Sequence, residues 1–373
     1  MNFLFLASFG EIATYVLYIL LAILVLLVMI TVHEFGHYIV GKIFKFGIEE
    51  FSIGFGPKLF SRKNKNGENF SIRAIPLGGY CAFKGEDGET DDPSAFNNKK
   101  PYQRILVLLA GAFMNYLTAI IVICLMFGIY GHSAVMTYDV DENPPYGVEY
   151  SFSDGDIIIR ANGKNVYLST DLMLAISGKS QGEEVEFYLL RNGEFKNYTI
   201  KLKASTDFTN LEDVETLCKA LGVKYSVDAD GRVTDNGFRM TGIKFGFFAT
   251  IGRSFEYSFK LAGTIFTVFR QLFTGALGIR SLGGTVSTIT ITASAIKTGG
   301  LWSLLNIAAF IGVNLAVFNL IPFPALDGSR VVFTLIEWIR GKPVNRRIEA
   351  VVHTIGFVII IFFALFADLQ QCF

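Results

Sequence analysis

Cysteine is scarce in this chain, and Cys81, Cys124, Cys218 and Cys372 are scattered with no Cys-x-x-Cys spacing. That argues against a thiolate metal site or a disulfide framework and reads as four free thiols. Net charge is lacking too: 33 basic residues balance 33 acidic ones, so no global basic field points to nucleic acid. The N-terminus has no basic stretch of the secretory-signal kind, its first charge being Glu11, so its apolar run is expected to be retained as a helix. What the chain has in excess is apolar residues, 51% of the total, with a mean hydropathy of +0.43. It is too apolar for an ordinary soluble protein, yet its middle is too charged for a helix bundle alone. A membrane domain carrying a soluble insert satisfies both constraints.

Four uncharged stretches have spanning length or nearly so, given that a helix needs about 20 apolar residues to cross a bilayer: Ile12 to Val32, Ile105 to Tyr130, Leu301 to Ile321 and Ala350 to Ala367. The last is the shortest and holds His353. Basic residues concentrate between the first and second stretches, from Lys42 to Arg104, and between the third and fourth, from Arg330 to Arg347. Positive-inside logic then places those two loops in the cytoplasm and both termini and the 131–300 region outside.

The first span ends in His33-Glu34-Phe35-Gly36-His37. On a continuing helix His33 and His37 share one face and can reach one cation, while Glu34 stands beside the ion, placed to take a proton from bound water. A chance match on a buried helix is the bland alternative, but ionisable groups at membrane depth are costly and default to function. The pattern points to a zinc hydrolase and its location to the membrane edge.

The loop that follows contains Gly54-Phe55-Gly56-Pro57, a polar turn at Lys63 to Glu68, and an alternation at Phe70, Ile72 and Ala74 leading to Pro76-Leu77-Gly78-Gly79-Tyr80. This predicts a short hairpin dipping toward the membrane, either a structural loop or a strand edge able to pair with an extended peptide. Gly85 to Lys100 reads as a solvated linker. In the second span Gly111, Ala112 and Asn115 favour close helix packing over catalysis.

Beyond His132, Asp154 to Val166 reads as a turn, a buried strand and an Asn-Gly hairpin turn, Asp171 to Ile176 as a short helix, and Glu184 to Leu202 as a second hairpin turning at Arg191-Asn192-Gly193. The order resembles a PDZ domain, whose core pattern is matched at Gly155, Asp156, Ile158, Asn162 and Gly163. Residues 204–237, with a helix expected over Leu211 to Leu221, look like an insertion before a strand near Met240 to Phe245. Phe255, Phe259, Ala262, Phe266, Phe269 and Phe273 form a stripe suited to a helix at the bilayer interface, and a fifth span is disfavoured by charges within it. The run Ser281 to Ala295 has no assignment and either re-enters the membrane or packs on the bundle.

Near the end of the third span Asn314 and Asn319 precede Ile321-Pro322-Phe323-Pro324-Ala325-Leu326-Asp327-Gly328. Two prolines this close cannot both sit in a regular helix, so the backbone opens, which at membrane depth is tolerated only beside a cavity or inside protein. Asp327 then follows at the depth of the histidines, either as the third ligand of a catalytic zinc or as an Asp-Gly turn at a helix start.

Taken together these residues resemble the bacterial site-2 proteases, membrane-embedded zinc metalloproteases that cut other membrane proteins within or beside the bilayer. The family pattern His-Glu-x-x-His stands at 33–37 and Asn-x-x-Pro-x-Pro-x-Leu-Asp-Gly at 319–328, and the Gly54 to Pro57 and Pro76 to Tyr80 segments also fit, so the resemblance covers nearly the whole chain. It implies a polytopic α-helical membrane protein with about four spanning helices and an inserted α/β PDZ-like extracytoplasmic domain. The expected division is 1–45, 46–103, 104–130, 131–245 with its insertion at 204–237, 246–300, 301–328, 329–349 and 350–373. The resemblance further implies zinc held by His33, His37 and Asp327, Glu34 as base, and Asn314 and Asn319 as substrate holders, to which the strand-edge reading of the hairpin adds Ile72, Ala74, Gly78 and Gly79. Its substrates would be single-span membrane proteins in the plasma membrane, anti-sigma-factor-like regulators or signal-peptide remnants, with an upstream site-1 protease acting on the same substrate. The bilayer is the other partner, and nucleic acid is not expected. Ser329 replaces the second glycine usual after Asp-Gly, and Pro145 to Ser153 lacks the Ala-Gly-Leu-like segment usual before the PDZ core, which favours a size filter over capture of peptide termini. A metal transporter or a catalytically inactive peptide-binding scaffold are the rivals. No internal repeat supports the first, and the second has no need of Glu34.

Overall fold

The computed structural model describes residues 9–274 and 284–370, apart from 87, 89, 209–212 and 229–232. In chain order the elements are α1 (Phe9–Ile43), β1 (Ile48–Lys63), β2 (Asn69–Phe83), α2 (Pro101–Tyr130), β3 (His132–Thr137), β4 (Ile157–Ala161), β5 (Lys164–Asn165), α3 (Ser169–Ile176), β6 (Glu184–Arg191) and β7 (Glu194–Lys201). Then come α4 (Val214–Leu221), β8 (Ser226–Val227), β9 (Val233–Asp235), β10 (Phe238–Ile243), α5 (Phe247–Phe273), α6 (Thr285–Leu320), α7 (Asp327–Arg340) and α8 (Arg346–Gln370). They form two units, Phe127–Thr250 and the remainder.

Among the described residues four helices are long and apolar enough to cross a membrane, Ile12–Ile43, Pro101–Tyr130, Val286–Leu320 and Arg347–Gln370, and they contain the four stretches expected except for Ile321, where the third helix has already ended. Their burial is inverted relative to a soluble bundle. Leu17, Leu20 and Leu24 on α1 and Val358, Phe362 and Leu365 on α8 are exposed, whereas Asn115 and Ser258 are fully buried. Large apolar side chains outside and polar ones inside is the arrangement that lipid rewards.

The unassigned run near Ser281 is helical from residue 285 on; Ser281, Leu282 and Gly283 lie outside the described residues. It forms the first half of α6, which breaks at Gly300, where φ is +58° and ψ −140°. Only a glycine adopts that backbone without strain. The 301–320 half alone is about 30 Å long, the thickness of the hydrocarbon core. Before the break, Ser287 and Thr292 are buried while Val286 and Ile291 are exposed. Along α5 the phenylalanine stripe also faces outward, with Phe255, Phe259 and Phe266 exposed and Tyr257, Leu261 and Ile265 buried. Tyr116 bonds Ser258 at 2.7 Å and the Tyr257 hydroxyl donates to Asn306 at 3.0 Å, which pins α5 to α2 and α6.

The expected hairpin exists and is longer than its alternation suggests. Its strands fold back on each other: residues 48–53 pair with 79–83 on one side (Ile48 with Phe83, Ile53 with Gly79) and with 69–72 on the other, while 69–73 also pair with 58–63. The spatial order is therefore 79–83, 48–53, 69–73, 58–63. Ile72 has strand partners on both sides, Ile53 and Phe60, so its backbone is not free to bind a further strand. The edge available is 79–83 instead. Glu50 fastens the curl, accepting from Ser71 at 2.5 Å and from Arg73 at 3.0 Å.

The smaller unit is built on an antiparallel sheet in the order β10, β3, β4, β6, β7, with β5 beside β4. Asn162-Gly163 and Asn192-Gly193 turn its hairpins with φ positive at both positions, the geometry for which this dipeptide is suited. Asp156 is buried and pairs with Arg191 at 2.6 Å, so the Gly155-Asp156 match is a structural one. The 204–237 segment is no appended excursion. Its helix α4 begins at Val214, its expected start at Leu211 lies outside the described residues, and Leu217, Leu221 and Val223 belong to the same core as Leu172, Phe187 and Leu189.

Candidate metal centre

Helix α1 continues unbroken past the apolar run to Ile43, so His33 and His37 fall four residues apart on one face. Asp327 opens α7, after the backbone leaves α6 at Ile321. The intervening turn is held from outside by α8. The Ala325 N–H donates to His353 Nδ1 at 3.0 Å, and Gly356 comes so near Pro324 that a methyl group there would stand 2.4 Å from the Pro324 carbonyl oxygen. Gly328 is required in turn, because a Cβ there would lie 2.4 Å from the Ile321 carbonyl.

The outcome is a tight triangle. His33 Nε2 lies 2.9 Å from Asp327 Oδ2 and 3.1 Å from His37 Nε2, and His37 Nε2 lies 3.3 Å from the same carboxylate oxygen. Tetrahedral zinc with ligands at 2.0–2.1 Å separates them by about 3.3 Å, close to these edges. The donor chemistry fits as well. His37 Nδ1–H donates to the Val107 carbonyl at 2.7 Å, which leaves Nε2 with a lone pair facing a carboxylate oxygen, two electron-rich atoms that a cation reconciles. These three side chains are the one His/Cys/Asp/Glu cluster among the described residues placed to hold a metal.

Helix α2 makes room for the triangle. A Cβ on Gly111 would stand 2.5 Å from His37 Nε2 and 2.7 Å from His33 Nε2, and one on Gly36 would meet the Ala110 carbonyl at 2.4 Å. One turn beyond Gly111, the Asn115 amide reaches His33 Nδ1 at 3.3 Å.

Glu34 lines the same cavity of about 460 Å³, together with Tyr80–Phe83, Glu86, Phe96, Val107, Leu108, Asn319 and Arg330. The Cys81 main chain bonds its carboxylate, and Gly79 packs against its stem. The Phe83 N–H points outward in the same way, donating to Glu86 at 3.2 Å. Alternate residues of a strand aim their backbone groups to the same side, so Gly79, Cys81 and Phe83 present the open edge to the site. Burial pushes the Cys81 thiol up, so it stays protonated beside the carboxylates.

Of the expected substrate holders, Asn319 lines the cavity, and Gly79 lies where a Cβ would come to 3.4 Å from Glu34 Cγ. Ile72, Ala74, Gly78 and Asn314 are not among the lining residues. Asn319 donates to Leu315 O at 2.9 Å. Sequence reasoning missed the Val107 carbonyl, the room made by Gly111, and the Arg330–Glu86 ion pair, and it read Asn115 as packing. It noted His353 in the last span without a role. An ionisable group in an apolar helix was the available signal there.

Comparison with known proteins agrees with this chemistry. The sequence profile described as Peptidase family M50 matches residues 21–363. A candidate zinc metalloprotease of Clostridium acetobutylicum is 30% identical over 353 residues, 95% of this chain and 96% of that one. Another from Clostridium perfringens is 33% identical over 345 residues, 92% and 95% of the two chains, and one from Fusobacterium nucleatum is 31% identical over 356 residues, 94% and 97%.

Proposed function

The chain belongs to peptidase family M50, a family of membrane zinc metalloproteases, and from that premise we propose that it cuts single-span membrane proteins at the cytoplasmic edge of the bilayer. The observation that carries this reading is Glu34 beside a His33–His37–Asp327 triangle, in a cavity bordered by a strand edge that no further strand covers among the described residues. Zinc, when bound, supplies a Lewis acid that polarises the scissile carbonyl and makes the attacking water more acidic. Glu34 takes the proton that this water gives up and later passes it to the departing amine. The Cys81 main chain keeps that carboxylate in place, and Phe96, Val107 and Leu108 supply apolar wall to the cavity.

A substrate helix shields its carbonyls by internal hydrogen bonds, so it must be opened before attack. The 79–83 edge supports this step, because backbone pairing extends a peptide without regard to its side chains. Asn319 is the second anchor: its amide nitrogen is committed to Leu315 O, which leaves its oxygen to accept from a substrate N–H. Ile72, Ala74, Gly78 and Asn314 do not enter this arrangement.

The distribution of Lys and Arg supports a site facing the cytoplasm and an extracytoplasmic, PDZ-like 127–250 unit. With no clear peptide-terminus pocket signature before Gly155, that unit is read as a size filter that admits substrates trimmed by an earlier protease. Anti-sigma-factor-like regulators and signal-peptide remnants are the substrate classes of suitable shape.

The test is co-expression of the full chain with a single-span reporter, comparing the native protein with Glu34→Gln and measuring zinc in each. A fall in cleavage of about 10²–10⁴-fold with zinc retained is expected. Cleavage retained by zinc-loaded Glu34→Gln would overturn the base assignment, and zinc transport into vesicles without proteolysis would overturn the whole reading.

A further inference from the structure

A histidine that ligates through Nε2 must carry its proton on Nδ1, and that N–H needs an acceptor. Both ring Nε2 atoms point into the triangle, so both Nδ1 atoms point out of it. His37 has its acceptor in the Val107 carbonyl at 2.7 Å. Among the described residues the partner of His33 Nδ1 is Asn115, whose amide nitrogen lies 3.3 Å away, and two N–H donors cannot bond each other. The other end of the same amide is anomalous too: Asn115 is fully buried, and its Oδ1 has no hydrogen-bond partner among the described residues.

One rotation removes the conflict at His33 and gives the oxygen a partner, the nitrogen taking the oxygen's former place. The two ends of a carboxamide have nearly the same shape, so turning it by 180° exchanges oxygen and nitrogen without changing the packing. We infer that Asn115 is a positioning residue of the zinc site, its Oδ1 accepting from His33 Nδ1–H to fix the tautomer and ring orientation in which Nε2 binds metal. Gly111 and Asn115 then divide one face of α2 between them, the glycine giving the ligands space and the asparagine orienting one of them.

This inference rests on the zinc reading above, and its test separates the two. Full-length protein in detergent is titrated with zinc against a competing chelator, for the native chain, His37→Ala, Asn115→Leu and Asn115→Asp. Thermal unfolding in excess chelator serves as a fold control. Asn115→Leu is expected to lose roughly 10–100-fold in zinc affinity, as outer partners of metal-bound histidines typically do, and Asn115→Asp to stay within a few-fold of native because a carboxylate accepts the same proton. A packing role predicts the reverse order, since Leu fills the space while Asp buries a charge. Native affinity in Asn115→Leu, or a loss in Asn115→Asp as large as in Asn115→Leu, overturns the inference. If Asn115→Leu does not fold, Asn115→Asp alone decides: zinc affinity near native upholds the acceptor role and its loss refutes it. Absence of zinc binding by the native chain, or its indifference to His37→Ala, would instead refute the metal site itself.

Discussion

Gly111 on α2 lies so close to His37 that a single added methyl would stand 2.5 Å from its Nε2 and 2.7 Å from that of His33, crowding both imidazoles that would hold the ion. The gap is held by backbone on both sides, because Gly36 on α1 packs onto the Ala110 carbonyl with equally little clearance. Gly111→Ala is therefore expected to fold and insert but to lose zinc and proteolysis together. Zinc content of the purified variant checks this, with Ala112→Gly as a neighbouring control.

Gly79 acts on the other side of the centre. A Cβ there would meet Ser52 O at 2.9 Å and Glu34 Cγ at 3.4 Å, so Gly79→Ala should push the strand edge away from Glu34 while leaving the metal ligands alone. The expected result is native zinc content with kcat/KM lowered about tenfold, some 1.4 kcal/mol. Loss of zinc in this variant would show that the strand supports the ligands rather than the base.

Arg104, almost fully buried, pairs with Glu337 at 2.9 Å, and its guanidinium lies 5.3 Å from the Phe96 ring centre, with Arg330 at 5.7 Å from the same ring. The pair ties α7, which carries Asp327, to the start of α2. Removing one partner strands the other, so Arg104→Met should cost about 3–5 kcal/mol of stability, read as a lowered unfolding midpoint. The double variant Arg104→Met/Glu337→Leu should recover much of that loss.

Glu50 supplies a pH signature. Burial alone would raise its carboxyl, but hydrogen bonds from Ser71, Arg73 and Lys58 hold it down to about 2. Its folded value lies below the ordinary carboxylate value of about 4.3, so its contribution is fully present above that pH and is lost as pH falls toward 2. Protease nicking within 54–63 is expected to be faster in Glu50→Gln than in the native chain at pH 7. Unfolding midpoints of the two should converge as the medium is acidified.

The metal ligands were legible in the sequence because their chemistry demands fixed residue types at fixed spacing, on a helix whose length the bilayer sets. His33 and His37 needed only the period of α1, and Asp327 was flagged by the proline pair that opens the backbone before it. What was not legible depends on how one element meets another. Asn115 orients His33 only because α1 and α2 cross in one particular register, and no periodicity within α2 announces that. Ile72 was expected at the peptide-binding edge because its alternation is strong, yet strong alternation marks a strand and not its place in a sheet. The fold-back of β2 pairs the Ile72 backbone with strands on both sides, although its side chain stays exposed, and leaves 79–83 at the sheet edge. Residues 204–237 looked extraneous because they match no pattern, although Leu217 and Leu221 are as deeply buried as any residue in that unit.

The loop that presents Asp327 is set by His353 and Gly356, which lie on the last helix. Translation delivers the two histidines near its start and the groups that aim the carboxylate only near its end. A ribosome-bound chain thus carries the parts of a hydrolase for most of its synthesis without the finished centre. The turn before Asp327 therefore gains its supports only when the helix carrying His353 and Gly356 has packed against it.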